Sequence, residues 1–119
     1  MKIPCIALAA AAVASLTTAT AAHAEYLSAT QDHLHGASYM TYSNVTLHSG
    51  ELAVVFVKPE GNTVLELSVY DQNNNLIGDT NCPEAGCYVR WTPRWTGDFT
   101  IKVANLGLSS TDFGLAVRQ

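Results

Sequence analysis

Hydrophobic residues occupy every second position in several short stretches of this chain. The alternation is clearest in residues 65–70, 99–103 and 113–118. A period of two residues is typical of a β-strand with one face in a core and the other in solvent. The side chains predicted to face the core are Leu65, Leu67 and Val69; Phe99, Ile101 and Val103; and Phe113, Leu115 and Val117.

Three other stretches depart from this simple pattern or extend it. Residues 52–57 are apolar at both parities, which predicts a central strand whose second face is also covered. Val89 and Trp91 alternate with polar neighbours and are expected to point inward. The alternation slips between Tyr42 and Val45, which indicates a β-bulge.

Turn-forming residues separate the apolar stretches at regular intervals. Gly, Pro, Asn, Asp and Ser concentrate in residues 48–51, 59–62, 72–75, 93–98 and 105–112. Short strands joined by such turns predict an all-β fold, an antiparallel, jelly-roll-like β-sandwich with seven or eight strands from about Tyr39 onward. No segment from about Tyr39 onward has a convincing helical pattern.

The N-terminus has the features of a secretory signal. Lys2 precedes an Ala-rich apolar run, and Ala22-His23-Ala24 is a small-x-small cleavage site, so residues 1–24 are predicted to be removed and the mature chain to begin at Glu25. Residues 25–36 are polar and irregular and are interpreted as a flexible arm or an edge segment. Residues 37–119 then form one domain of a secreted or periplasmic protein. No stretch has the roughly 20 apolar residues of a membrane span.

The charge of the chain argues against one class of partner. Removal of the signal takes Lys2 away, so six basic residues become five against ten acidic residues, a net charge of −5. Binding to nucleic acid requires clustered Lys and Arg. The mature basic residues are scattered, and we therefore predict no nucleic-acid partner.

Cys82 and Cys87 form an even pair in an oxidising compartment, which predicts one disulfide. The bond would close a six-residue loop with Pro83 and Gly86 in turn positions. A metal or redox site built on two thiolates is the alternative, but the spacing is not C-x-x-C and no His is adjacent.

The order of these motifs resembles the bacterial pre-peptidase C-terminal domain family, small β-sandwiches related to the collagen-binding modules of collagenases. The resemblance covers roughly residues 39–117, and the residues that carry it lie in 45–51, 65–71 and 91–103. It implies a β-sandwich in a secreted setting. Thr63 and Val64 replace the acidic residues that commonly precede the Leu-x-Leu strand, so calcium or collagen binding is not carried over.

Aromatic and basic residues meet near the corner at residues 93–98. Trp95, with Arg90 and Arg94 nearby, is the predicted binding set, because an aromatic ring contacts sugars or apolar groups and guanidinium groups bind carboxylates. The alternative for Trp95 is a structural role in capping the end of the sandwich.

Two groups of residues are candidate metal ligands. Asp71, Asn73 and Asn75 have the opening spacing of a calcium loop, but Leu76 and Cys82 stand where that loop needs Gly and Glu, so a polar turn is the alternative. His33 and His35, beside Asp32 and with His48 further along, offer imidazoles to zinc or copper.

These observations lead to three hypotheses about function. The first is a non-enzymatic binding module without a cofactor, whose partner is an extracellular or periplasmic protein or polysaccharide. The second is a metal-binding periplasmic protein that uses His33 and His35, and the third is an enzyme or hydrolase accessory. No nucleophile elbow, H-E-x-x-H motif or spaced carboxylate pair supports the third.

Overall fold

The computed structural model describes residues 26–119, which form eight β-strands and no helix. The predicted signal and cleavage site lie outside the described residues. The strands are β1 (Tyr26–Leu34), β2 (Tyr39–Leu47), β3 (Ala53–Pro59), β4 (Leu65–Tyr70), β5 (Leu76–Cys82), β6 (Cys87–Trp91), β7 (Gly97–Asn105) and β8 (Thr111–Arg118).

The strands form two four-stranded antiparallel sheets. Sheet one has the order β1-β8-β3-β6 and sheet two the order β2-β7-β4-β5. Successive strands mostly alternate between the sheets, which is the strand order of a jelly roll. The predicted all-β antiparallel sandwich is confirmed.

The core lies between the sheets, where the alternating apolar side chains meet. Every residue that the alternation assigned to the core in β4, β7 and β8 is buried, and Val89 in β6 is buried with them. Leu47, Ala53, Val55 and Val57 complete the layer from β2 and β3. The inward parity of each predicted strand is therefore confirmed.

The first described strand corrects the expectation of a flexible arm. Residues 26–34 pair with β8 along its length, from Tyr26 opposite Arg118 to Leu34 opposite Thr111. Leu34 is buried in the core. The segment looks irregular in sequence because β1 is an edge strand with few inward positions, and the edge-segment alternative is the one that the structure shows.

The interpretation of residues 52–57 is partly wrong. β3 is a central strand between β8 and β6, as predicted, and Val55 and Val57 are fully buried. Its second face is not covered, however, because no element packs on the outside of sheet one among the described residues and the Phe56 side chain is 36% exposed. The apolar residues of opposite parity form part of an outer surface.

Local irregularities match the turn and bulge signals. The β2–β7 register shifts between Tyr42 and Val45, and Asn44 has a φ of 61°, so the predicted bulge is confirmed. Cys82 and Cys87 are joined by a disulfide. This bond spans the connection from β5 in sheet two to β6 in sheet one and ties the two sheets together at that edge.

Candidate functional site

The corner between β6 and β7 forms one wall of a groove of about 300 Å³ at the end of the sandwich. Pro93 is buried and anchors the corner, and its carbonyl accepts a hydrogen bond from Gly50 N at 2.9 Å. Arg94 and Trp95 follow it in solvent, with Trp95 49% exposed. The groove is lined by Asp71, Ile77, Trp91, Thr92, Pro93, Arg94, Trp95 and Phe99.

Contacts on two sides set the position of this corner. A Cβ atom on Gly97 would lie 2.6 Å from Oε1 of Gln72, so Gly97 lies directly against the Gln72 side chain of the β4–β5 turn. On the other side, Ser49 N donates to Thr96 Oγ1 at 3.0 Å. The corner is thus held from two directions while Trp95 stays exposed.

Trp91 forms the inner wall of the groove. Its ring packs against Phe99 with centroids 5.5 Å apart and an interplanar angle of 53°, and it borders the core as its parity predicted. Its indole Nε1 is buried and has no hydrogen-bond partner, alone among the buried side-chain polar atoms of residues 26–119. Trp91 also lines the groove, where its ring contributes aromatic surface.

The Asp71 turn closes the opposite side of the groove and has the geometry of a polar turn. Oδ1 of Asp71 accepts hydrogen bonds from the backbone N–H groups of Asn73 at 2.9 Å and Asn75 at 2.8 Å. Oδ2 accepts one from Asn75 Nδ2 at 3.1 Å. The backbone bond from Asn75 and the other bonds to the carboxylate hold the pKa of Asp71 below its usual value. Donors of the turn itself thus occupy the carboxylate oxygens of the calcium-loop candidate.

The histidine candidates divide between the two ends of the sandwich. His33 and His35 have ring centroids 5.2 Å apart, and His33 Nδ1 lies 2.6 Å from Oδ1 of Asp112 on β8. His48 follows the far end of β2, roughly 30 Å away at about 3.3 Å per residue. Within the described part of the chain, no three His, Cys, Asp or Glu side chains come together as a metal site.

A serine and an acid lie near these histidines but do not form a catalytic triad. Ser110 Oγ is 3.5 Å from Nδ1 of His35, which is long for a hydrogen bond of this type. The carboxylate of Asp112 contacts His33 instead. A triad requires the acid to orient the histidine that faces the nucleophile, and here the serine and the acid contact different histidines.

Arg90 is separated from the rest of the predicted binding set. It lies on the outer face of sheet one, opposite Val54 of β3, in a depression of about 390 Å³. Arg94 and Trp95 share the end groove, as expected, but Arg90 does not reach it. The predicted binding set is therefore divided between two surfaces.

The outer face of sheet one is the surface that sequence reasoning missed. Phe56, Tyr88 and Arg90 all line its depressions. The available signal was the apolar residues at both parities in 52–57, which fit an exposed apolar face as well as a covered one.

No helix among the described residues is long and apolar enough to cross a membrane.

No protein-family model and no curated protein sequence matches the chain. Among solved structures, the fold is similar to that of PliG from Aeromonas hydrophila, described as a periplasmic lysozyme inhibitor of g-type lysozyme. The TM-score is 0.57 with 17% sequence identity, over 87% of this chain and 93% of PliG. At this identity the likeness shows a shared fold.

Proposed function

We propose that this protein is a non-enzymatic binding protein of the periplasm and that its partner is another protein, with a lysozyme as the first candidate. The observation that carries the proposal is the likeness to PliG, which extends over 93% of that inhibitor. The likeness thus spans nearly the whole length of that inhibitor. The resemblance to pre-peptidase C-terminal domains stays a prediction and is compatible with a binding role.

We place the partner contact at the end groove, with Trp95 as its anchor and Arg94 beside it. Trp and Arg are the residues that most often dominate binding energy at protein interfaces. Trp95 stands on a corner held by the hydrogen bonds that Pro93 O accepts from Gly50 N and Thr96 Oγ1 accepts from Ser49 N, so little backbone freedom is lost when a partner covers the ring. Arg94 adds a charged donor for carboxylates on the partner.

Inhibition assays test the proposal directly. The purified mature protein is titrated into g-type lysozyme and, in parallel, into a hen-type lysozyme, and lysis of a sensitive cell suspension is followed by turbidity. We expect slower lysis with at least one enzyme and a matching stoichiometric complex by calorimetry. The proposal would be contradicted if the protein bound neither enzyme, or if the protein itself hydrolysed a glycan.

Substitution at Trp95 tests the location of the contact. Trp95→Ala should weaken binding by about 1 kcal/mol or more, as loss of an aromatic anchor does, with an unchanged melting curve. Leu108→Ala is the matched control, because Leu108 is 93% exposed and lies in the β7–β8 loop at the other end of β7. A destabilised Trp95→Ala variant that still captures lysozyme when folded would assign Trp95 to capping the core.

The proposed location is tested separately. The protein should be recovered from the periplasmic fraction with the intact mass of a chain that starts at Glu25, because Ala22-His23-Ala24 is the predicted cleavage site. Recovery of an exported form that retains residues 1–24 would contradict the cleavage prediction.

A further inference from the structure

The outer face of sheet one contains a trough that crosses its strands. Two depressions, of about 460 Å³ and about 390 Å³, adjoin each other and share Phe56 and Ala116 in their linings. Strand register explains the shape: Ala29 of β1 and Phe56 of β3 lie on either side of Ala116 of β8. The small residues Ala29, Ala116 and, one row along, Gly114 leave the surface low beside the aromatic rings.

Two aromatic side chains lie side by side at one end of this row. Tyr88 pairs with Phe56 across the β3–β6 ladder, and the two side chains are 56% and 36% exposed. The Phe56 ring rests on the disulfide loop, because a Cβ on Gly86 would lie 2.8 Å from its Cζ atom. The loop closed by the Cys82–Cys87 bond therefore supports one of the rings.

Cationic side chains border the trough although the protein as a whole is acidic. Arg90, Arg118 and Lys58 line it, with Glu60 as the one acidic lining residue. Lys58 Nζ donates to the backbone carbonyl of Glu84 at 3.1 Å.

The outer face of sheet two carries more acidic than basic residues. Glu66, Asp79 and Asp98 lie there with Lys102 as the single basic residue. Since the described chain carries more acidic than basic residues, the collection of cations around the sheet-one trough marks this face for an anionic ligand.

We propose that this trough binds an acidic polysaccharide, with pyranose rings stacked on Phe56 and Tyr88 and carboxylates held by Arg90 and Lys58. The small side chains form the floor of the trough, which is open at the surface and can accept an extended polysaccharide chain. The neighbouring aromatic rings offer apolar faces to the C–H face of a sugar. Guanidinium and ammonium groups on both sides bind carboxylates of successive residues. The trough is distinct from the end groove with Trp95, so this proposal can be tested independently of the lysozyme proposal.

The test measures binding of three glycans to the folded mature protein by calorimetry and by affinity electrophoresis. Polygalacturonate supplies carboxylates on pyranose rings, dextran is the neutral chain, and dextran sulfate supplies charge without the same geometry. We expect polygalacturonate to bind, with an affinity that falls as salt is raised, and dextran not to bind. Tyr88→Ala and Arg90→Gln should each weaken polygalacturonate binding by about fivefold or more.

Matched variants on the opposite face separate a site from general attraction. Tyr39→Ala removes a similarly exposed tyrosine from sheet two, 64% exposed against 56% for Tyr88. Lys102→Gln removes the cation of that face, whose Nζ lies 4.7 Å from the centroid of the Tyr39 ring. Both variants should bind polygalacturonate like the wild type. Melting curves for all four variants confirm that each one is folded.

Three results would overturn the proposal. One is the absence of polygalacturonate binding by the wild type. Another is equal binding of dextran sulfate combined with no effect of Tyr88→Ala, which would show charge attraction only. The third is loss of lysozyme binding in Tyr88→Ala and Arg90→Gln with polygalacturonate affinity unchanged, which would make this face a protein-docking surface. Failure of lysozyme inhibition alone leaves the glycan result intact.

Discussion

The Tyr42 hydroxyl donates a hydrogen bond of 2.5 Å to Oδ2 of Asp32 and thereby joins the two sheets at their first edge. Asp32 lies on β1 in sheet one and Tyr42 on β2 in sheet two. Burial, and then the hydrogen bond to Asp32 and its negative charge, raise the pKa of Tyr42 well above its usual value. This pair fastens the edge opposite to the one that the disulfide spans.

Removal of the hydroxyl should loosen this edge. Tyr42→Phe keeps the ring but loses the bond to a carboxylate, so we expect the free energy of unfolding to fall by about 1 to 2 kcal/mol. Urea denaturation of the wild type and the variant measures the difference. Tyr39→Phe is the control, because Tyr39 is exposed on the same strand. Equal effects of the two substitutions would contradict a role for the Asp32 bond.

The same pair predicts a loss of stability at alkaline pH. Because the folded state raises the pKa of Tyr42 above the ordinary value of 10.0, the folded state favours the protonated phenol. Its contribution is complete below pH 10 and is lost as the pH rises above that value. Melting temperatures between about pH 9 and 11 should fall more steeply for the wild type than for Tyr42→Phe. Parallel curves would show that Tyr42 does not titrate as proposed.

The core register can be tested at two adjacent positions of β4. Leu67 is fully buried between the sheets, so Leu67→Ala should cost about 2 to 5 kcal/mol through lost burial and the cavity left behind. Ser68 points to the other face and is only 7% exposed. Ser68→Ala removes one oxygen and should cost about 1 kcal/mol or less. Chemical denaturation compares the two variants, and equal losses would contradict the assigned register.

The disulfide should stabilise the fold modestly. By the loop-entropy relation, closing the six-residue loop between Cys82 and Cys87 is worth about 2 kcal/mol. Reduction, or the double substitution Cys82→Ser with Cys87→Ser, should lower the unfolding free energy by that amount and leave a folded protein. Thiol titration of the native protein checks the pairing, since two free thiols without reductant would contradict it.

Asp71 predicts a loss of stability in acid. Its pKa in the folded state lies below the ordinary value of 3.8 because Asn75 and Asn73 donate to the carboxylate, so the folded state favours the ionised form. Its contribution is present above pH 4 and is lost as the pH falls below that range. Asp71→Asn should lower the melting temperature at neutral pH and flatten its decline below pH 4. An unchanged acid profile in Asp71→Asn would contradict this account.

Much of the architecture is determined by short-range sequence patterns. Alternation placed Leu67, Ile101 and Leu115 in the core, because side chains of a strand point to opposite faces at a period of two. The bulge after Tyr42 and the Cys82–Cys87 loop also depend on residues close together in the chain, so local chemistry was sufficient to predict them.

The sites depend on contacts between distant parts of the chain, and only the tertiary structure decided them. The polar segment 26–34 became an edge strand because β8 supplies its hydrogen-bonding partner. Arg90 and Arg94 are four residues apart but lie on different surfaces, since the first belongs to a strand and the second to the corner beyond it. The exposure of Phe56 has the same origin: hydrophobicity alone does not distinguish a covered sheet face from an open one, because the distinction depends on whether another element packs there.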